Sequence, residues 1–446
     1  MRREAISITL PAFIELVMST LFGMVDMIMV GQLSSAAITS VGLANQPFLV
    51  LMAVFGAVNI GTTTLVAWNI GANNIKKARL VTRQIIMLNA ILGMALSLIG
   101  VMFANQTVEF MGAKADTIKD ATVYFQIISS GLFFQAVTMG ITAALRGAGE
   151  TKIPMFYNIG SNFLNVIANY ILIYGKLGVP KMGVAGAALS TTISRVVACT
   201  IGLCVVFHLN KSVISMKIKG NYRFDTSIIK EVFSIGLPSA FEQFIVQSGL
   251  MFFARTVSGL GTIAFAAHQI GLSICGLTFS PSMAFGVAAT TLVGQSLGAN
   301  DGDMAKKYAD IIHHMAMGVA CIMGVVFILF SYQLAKLYTK DLTVAAMSAV
   351  ILKIMALSQP GQSTQLSLAG ALRGAGDTMY PLYASIFGTW IFRVFLAYIL
   401  VAVLHWGIIG AWVALVLDQY MRAAIVYMRY RSEKWKYAKS RSASAD

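Results

Sequence analysis

Four carboxylates lie deep inside long apolar stretches of this sequence: Glu15, Asp26, Glu242 and Asp418. An acid near the centre of a membrane helix costs about 2.5–3.5 kcal/mol on insertion scales, so each needs a partner or a task. Three chemistries are open to such groups: ion pairing, holding a cation, or binding and releasing a proton. Asp418 has Arg422 one turn later on the same face, and an intrahelical ion pair is expected there. Asp26 has no cation three or four residues away; its neighbours at those spacings are Phe22, Gly23, Met29 and Val30. It is hydrated or partnered across helices. Asn158, Asn162, Asn165 and Asn169 follow spacings of four, three and four, so they share one helix face. Such an amide-lined face suits a carboxylate that holds a cation or exchanges a proton. Glu15 and Glu242 each stand four residues after a proline, Pro11 and Pro238. They attract cationic substrates or carry protons, or they hydrogen-bond between helices as protonated carboxyls. Arg195, Lys353 and Arg393 are candidate partners from other helices.

The remaining reactive residue types offer less. Cys199, Cys204, Cys275 and Cys321 sit in apolar runs without CxxC spacing, which argues against a disulfide framework or a zinc site. His313-His314 is read as solvated near a helix start. Arg146-Gly147-Ala148-Gly149 and Arg373-Gly374-Ala375-Gly376 lack the Lys-Ser/Thr of a P-loop and read as turns at helix ends. No nucleotide site, no cofactor and no enzymatic reaction are expected from these residues.

The setting of these residues follows from composition. The chain has 446 residues, of which 57% are hydrophobic and 11% charged, and its mean hydropathy is +0.75. A soluble domain carries about 25% charged residues. A soluble protein of this size is therefore excluded, as is disorder, which needs low hydrophobicity and high charge. At about 20 apolar residues per span, the length allows roughly a dozen helices. Apolar runs place twelve of them at 5–30, 40–68, 82–104, 121–145, 154–175, 183–209, 231–256, 263–294, 308–334, 344–372, 379–404 and 406–430. The first is too long for a signal-peptide core and is read as a retained membrane helix. Pro11 and Pro281 are expected to bend their helices.

The net charge is +15. The charges fall in short runs between apolar stretches, so the expected partner is the anionic face of a bilayer, not nucleic acid. Basic residues concentrate in alternate loops, including Lys76, Lys77, Arg79, Arg83, Lys211, Lys217, Lys219 and Arg223, and in the cluster from Arg429 to Arg441. The other loops hold Lys114, Lys119, Lys176, Lys181, Lys336 and Lys340. This bias puts both termini in the cytoplasm, which agrees with an even number of spans.

An internal repeat organises the chain. Residues 144–154 read ALRGAGETKIP and residues 371–381 read ALRGAGDTMYP, identical at eight of eleven positions at an offset of 227. The same offset aligns Pro11 with Pro238, Glu15 with Glu242, Thr63-Thr64-Leu65-Val66 with Thr290-Thr291-Leu292-Val293, and Gly71-Ala72-Asn73 with Gly298-Ala299-Asn300. The expectation is an all-α membrane protein of twelve transmembrane helices in two six-helix bundles, related by a pseudo-two-fold axis along the membrane normal. Its lobes are 1–209 and 231–430, with a cytoplasmic linker at 210–230 and a basic tail at 431–446. Parallel repeats are the architecture of alternating-access transporters, with the cleft between halves as the natural substrate site.

These motifs together resemble one known family. Asp26 lies in Met24-Val25-Asp26 with Val30-Gly31 after it, Ala-Ala-His-Gln occupies 266–269, and the Thr-Thr-Leu-Val, Gly-Ala-Asn and Ala-Leu-Arg-Gly-Ala-Gly-(Glu/Asp)-Thr elements are doubled. They are similar to the multidrug and toxic compound extrusion (MATE) family over nearly the whole chain. The resemblance implies an exporter of organic, often cationic or lipophilic, compounds in exchange for protons or sodium ions. It assigns Asp26 to cation coupling, with Na+ near it as one possibility, together with Asn165 and Asn169. Many prokaryotic members carry Asn then Asp at that fifth-helix pair, whereas the second position here is Asn169. Glu242 looks like the family's seventh-helix glutamate, one turn earlier after its proline. Gln362 stands where one branch has a tenth-helix aspartate. Glu242 and Gln362 are the candidate substrate or proton site of the C-terminal lobe, with Glu15 secondary. The expected partners are small organic substrates, H+ or Na+ and the bilayer, and the expected assembly is a monomer in a bacterial cell membrane. A flippase for lipid-linked precursors is the alternative with the same superfamily architecture; it would want a more cationic cavity. A membrane-embedded enzyme lacks its Asp-rich or paired-His motifs, and a channel does not suit the asymmetric set of acids.

Overall fold

The computed structural model describes all residues except 114, 116, 210, 211, 218–222, 340 and 439–446. Lys114, Lys211, Lys219, Lys340 and Arg441 therefore lie outside the described residues. The described chain is a succession of helices: α1 (Arg2–Gly31), α2 (Ser35–Gly71), α3 (Ile75–Met102), the short α4 (Ala104–Phe110), α5 (Ile118–Ser130), α6 (Leu132–Gly147), α7 (Lys152–Tyr174) and α8 (Gly183–Phe207). The second half follows with α9 (Thr226–Ser258), α10 (Thr262–Gly298), α11 (Gly302–Lys336), α12 (Leu342–Gly374), α13 (Met379–Ile386), which continues in π-helical turns, and α14 (Gly407–Arg431).

Among the described residues, nine helices are long and apolar enough to cross a membrane, and α5 with α6, bent by 46°, makes a tenth. The two long helices that fall short are α7 and α9. Both carry polar residues that the site uses: the four asparagines of α7 and Glu242 of α9. With these two the spans number twelve, matching the apolar runs in the sequence. Two local departures were not legible in hydropathy: the break after Ser130, and the π-helical turns at Phe387–Leu396 and Ile399–Val403.

The chain divides into two compact units, Ile14–Phe233 and Met1–Phe13 with Ser234–Asp446. In the second unit, Ala5 and Ile8 are buried in a core with Phe285, Leu292 and Leu372, and the Tyr308 hydroxyl donates to Glu4 at 2.5 Å. In the first unit, Val30, Phe55, Phe125 and Leu132 share a core.

The repeated motifs are the seams of each unit. Thr63 of α2 donates its hydroxyl to the Ala143 carbonyl of α6 at 3.0 Å, and Thr290 of α10 does the same to Gly370 of α12 at 2.9 Å. A Cβ on Gly147 would meet the Thr63 carbonyl oxygen at 2.5 Å, and one on Gly374 would press as hard on the Thr290 oxygen. Close backbone approach of this kind is how helices associate in lipid, where no hydrophobic force draws them together. The Gly-Ala-Asn element makes the turn into the next helix: Asn73 and Asn300 have φ of 54° and 59°, and Asn74 and Asp301 then cap α3 and α11. Gly374→Ala is expected to lower stability by about 1–3 kcal/mol through overpacking. Gly318→Ala, where a Cβ meets nothing within 4 Å, is the control that should not lower it, and thermal melts of both proteins in detergent check this.

After α14, Trp435 is fully buried and its indole donates to the Tyr430 carbonyl at 2.9 Å. Beside it Glu433 is paired with Lys306 and with Lys436. Hydrogen bonds from these lysines hold the Glu433 carboxyl down at about 2. A depressed carboxyl stabilises above its unfolded value and loses that contribution only as pH falls through the folded one. Trp435 emission, read as the difference from Trp435→Phe, is therefore expected to stay constant between about pH 8 and 5 and to change only in stronger acid.

Candidate functional site

Along α1 and α7, three pairs repeat a sequence separation of 143. The Asn158 amide donates to Glu15 at 2.6 Å, Asn162 donates to Ser19 at 3.3 Å, and Asn169 donates to Asp26. A constant separation means two parallel helices running in register. The row of amides expected on one face is thus a ladder that receives α1. That matters because α1 is the least buried of the candidate spans, with 17% of its most apolar window buried against 28% or more in the others.

At the far end of the ladder the amides gather into a socket. Asn169 is fully buried and Asn165 nearly so. The Asn169 amide nitrogen also donates to the Asn165 oxygen at 3.3 Å, and its own oxygen accepts from the Ser190 hydroxyl of α8. The Asn165 amide in turn donates to Thr191 at 3.3 Å. Every polar atom of Asn169 is thereby engaged, which fixes its orientation toward Asp26. Asp26 itself is half-buried. Among the described residues no basic side chain pairs with it within 4 Å. Arg195 of α8 is near enough to interact with its charge, but the guanidinium lies over the Phe48 ring at 4.6 Å and donates to the Ile128 carbonyl at 3.1 Å. Ser190, Thr191 and Arg195 are members of this site that sequence reading did not assign to it. The signal was available: α8 carries hydroxyls and a cation inside an apolar span.

The three other intramembrane acids are ion-paired, and their partners correct the expectations. Glu15 pairs with Arg146 at 3.0 Å and Glu242 with Arg373 at 2.7 Å, not with Arg195, Lys353 or Arg393. Lys353 is exposed. The arginines are those of the doubled Ala-Leu-Arg-Gly element, whose turn geometry hid a second role: Arg146 and Arg373 keep the offset of 227 that relates Glu15 to Glu242. Duplication of both members was the sequence signal for the pairs. Asp418 does not pair with Arg422 along its own helix. It bonds Arg393, because the π-helical turns after α13 aim that arginine at α14. Arg422 donates instead to the Ser385 hydroxyl at 2.9 Å, with Glu242 at 3.8 Å. Gln362 is buried in α12, about three turns before Arg373, and among the described residues no hydrogen bond joins it to Glu242. Glu15 and Asp26 likewise stand apart, separated by about 16 Å along α1.

His268, from the Ala-Ala-His-Gln element, is fully buried. Its ring packs against Phe253 and Trp412 with centroids at 5.5 and 5.3 Å, so it serves the core of its unit.

Comparison with known proteins agrees with this layout. The family model described as MatE matches residues 11–171 and 238–399, one match in each half. The chain is 32% identical over 434 residues to "Probable multidrug resistance protein NorM" of Thermotoga maritima, covering 97% of this chain and 93% of that one. It is 28% identical over 391 residues to "Multidrug resistance protein PmpM" of Pseudomonas aeruginosa, covering 87% and 81%. Among solved structures it is similar to a multidrug resistance MATE family transporter of the MOP superfamily in an outward-facing conformation, with a TM-score of 0.91, 22% identity and coverage of 97% and 96%.

Proposed function

The chain belongs to the MatE family, a family of multi-pass membrane transporters, and from that premise we propose that it exports organic compounds in exchange for protons or sodium ions, with Asp26 as the group whose occupancy couples the two. One observation carries the reading. Of the four acids inside the spans, Asp26 alone has no basic partner within 4 Å among the described residues. A paired carboxylate is held in its charged form, whereas one held by a neutral amide can accept H+ or Na+ and release it again. The surrounding donors suit either ion: a carboxylate with amide and hydroxyl oxygens is the hard-oxygen set that sodium takes. Asn165 and Asn169 orient the acid, and α1, the span with least buried surface, is the element that responds when its charge changes. Glu242 belongs to the substrate side of the C-terminal unit. The names of the relatives, multidrug resistance proteins, support organic cationic or lipophilic cargo. The protein acts as a monomer in the cell membrane with both termini cytoplasmic.

Energy for export comes from the gradient, and the membrane potential contributes about 2.3 kcal/mol per charge per 100 mV. Dye efflux from vesicles, with proton and sodium gradients imposed separately, tests the proposal. Efflux is expected to follow one of them. Equal rates with neither gradient present would end the antiport reading.

A further inference from the structure

Inside the first unit one acid and one arginine are joined, Glu15 and Arg146 at 3.0 Å. A second acid and a second arginine, Asp26 and Arg195, stay apart. Among the described residues neither has an oppositely charged side chain within 4 Å. Arg195 has neutral partners instead. Its guanidinium lies over the Phe48 ring at 4.6 Å and donates to the Ile128 carbonyl at 3.1 Å. A guanidinium inside a bilayer is costly unless an acid or water meets it. A ring face and a single carbonyl hold it in place without neutralising it.

This resting place adjoins the Asp26 socket. On α8, Arg195 stands one turn beyond Thr191 on the same face. Thr191 accepts from the Asn165 amide, the Asn165 oxygen accepts from Asn169, and Asn169 donates to Asp26. Phe48, Tyr124 and Ile128 share one core cluster with Val30, which is one turn beyond Asp26 on α1. The acid and the arginine lie within each other's field, and both act on the Tyr124 hydroxyl. The titratable groups that interact here are thus Asp26 on α1, Tyr124 on α5 and Arg195 on α8. From α2 the site is faced by Phe48, and from α7 by amides.

The two charges need each other at different times. With H+ or Na+ on Asp26, the acid is neutralised and exerts little pull on the arginine. Once the ion leaves, a bare carboxylate remains in a half-buried socket, where opposite charges attract more strongly than in water. Its amide partner carries no charge to offer.

We propose that Arg195 alternates with the coupling ion: it leaves Phe48 and Ile128 to pair with Asp26 when the ion departs, and the returning ion displaces it. This rests on the reading of Asp26 as the coupling group and supplies the step that frees the ion. Competition from the arginine weakens ion binding and speeds release. Arg195 acts through Asp26 and is a positioning residue.

The test uses the full chain in lipid nanodiscs, without cargo or gradient, at an ionic strength fixed with potassium chloride. Uptake at Asp26 is the difference between the protein and its Asp26→Asn variant, read by calorimetry for Na+ and by an indicator dye for H+. Arg195→Gln is expected to tighten that uptake at least about tenfold, as a lower Na+ midpoint or a proton midpoint about one pH unit higher. Arg195→Lys keeps the charge and should stay within about threefold of the wild-type protein. Gradient-driven efflux should slow in Arg195→Gln although the ion binds more tightly, a split that a purely structural defect does not produce. A second measurement leaves Arg195 in place. Phe48→Trp puts a fluorescent ring under the guanidinium. Its emission, read as the difference from the parent protein, is expected to shift when the ion is removed, and to stay constant once Asp26→Asn is added. Unchanged or weaker uptake in a folded Arg195→Gln protein overturns the proposal. So does an emission from Phe48→Trp that ignores the ion, a result that holds even where Arg195→Gln fails to fold. If either occurs while Asp26-dependent uptake is intact, the coupling reading stands and this inference alone is lost. Absence of that uptake in the wild-type protein removes both.

Discussion

Asp26→Asn is expected to abolish ion-driven efflux while leaving a folded protein that still binds its cargo. The substitution keeps the size of the side chain and one oxygen facing the Asn169 amide, so the hydrogen bond that fixes α1 in the socket survives. It removes the carboxylate that takes up and releases a positive charge there. Coupling depends on a difference in affinity for the ion between two states, and a ligand without that difference shifts nothing. The loss should therefore be complete for gradient-driven transport, on the order of a hundredfold or more, and small for gradient-free exchange of labelled cargo across the same vesicles. The thermal midpoint should move little, because a half-buried acid without a basic partner is replaced by a neutral isostere. Asn169→Ala serves as companion. It strips the amide from Asp26 and removes one of the two acceptors of the Ser190 hydroxyl, the other being the Ala187 carbonyl, so it should weaken both coupling and stability. Retained proton- or sodium-driven uptake in Asp26→Asn vesicles would remove this residue from the mechanism.

Asp418→Asn is the opposite experiment, a large loss of stability with a secondary effect on transport. Asp418 is fully buried and Arg393 nearly so, and the two are ion-paired. Breaking a buried pair by removing one partner costs about 3–5 kcal/mol, because the charge left behind has no compensation. The amide introduced by this substitution would still offer Arg393 a neutral oxygen, which places the expected loss toward the lower end of that range. Asp418→Ala should reach the upper end. The double variant Asp418→Asn with Arg393→Gln removes both charges and should recover much of the loss. A thermal or denaturant melt of the wild-type protein and these three variants decides it. If the single and double variants are equally destabilised, packing and not charge holds this part of α14 to the π-helical turns.

The contrast between the two experiments follows from pairing. Glu15, Glu242 and Asp418 are neutralised by arginines that come from other helices. Asp26 is held by the neutral Asn169 amide, with no basic side chain within 4 Å among the described residues, which is why the same residue type serves structure at one position and is proposed for coupling at another.

What the sequence determined by itself was everything that is periodic or duplicated. The membrane setting followed from composition, since 11% charge cannot cover a soluble surface. The helix count followed from runs of about 20 apolar residues, the length a bilayer imposes. The repeat followed from one offset, and the asparagine face of α7 from the pitch of a helix. The tertiary structure alone decided who pairs with whom. Asp418 and Arg422 have ideal spacing for an intrahelical pair, yet Arg393 takes the acid, because a π-helical turn re-aims a side chain that no hydropathy pattern describes. Arg146 and Arg373 looked like residues of a tight turn, and their long side chains instead reach the glutamates of α1 and α9. Local rules fix helices because a helix satisfies its own backbone. A long charged side chain can satisfy itself at many distances, and only the packed chain selects one.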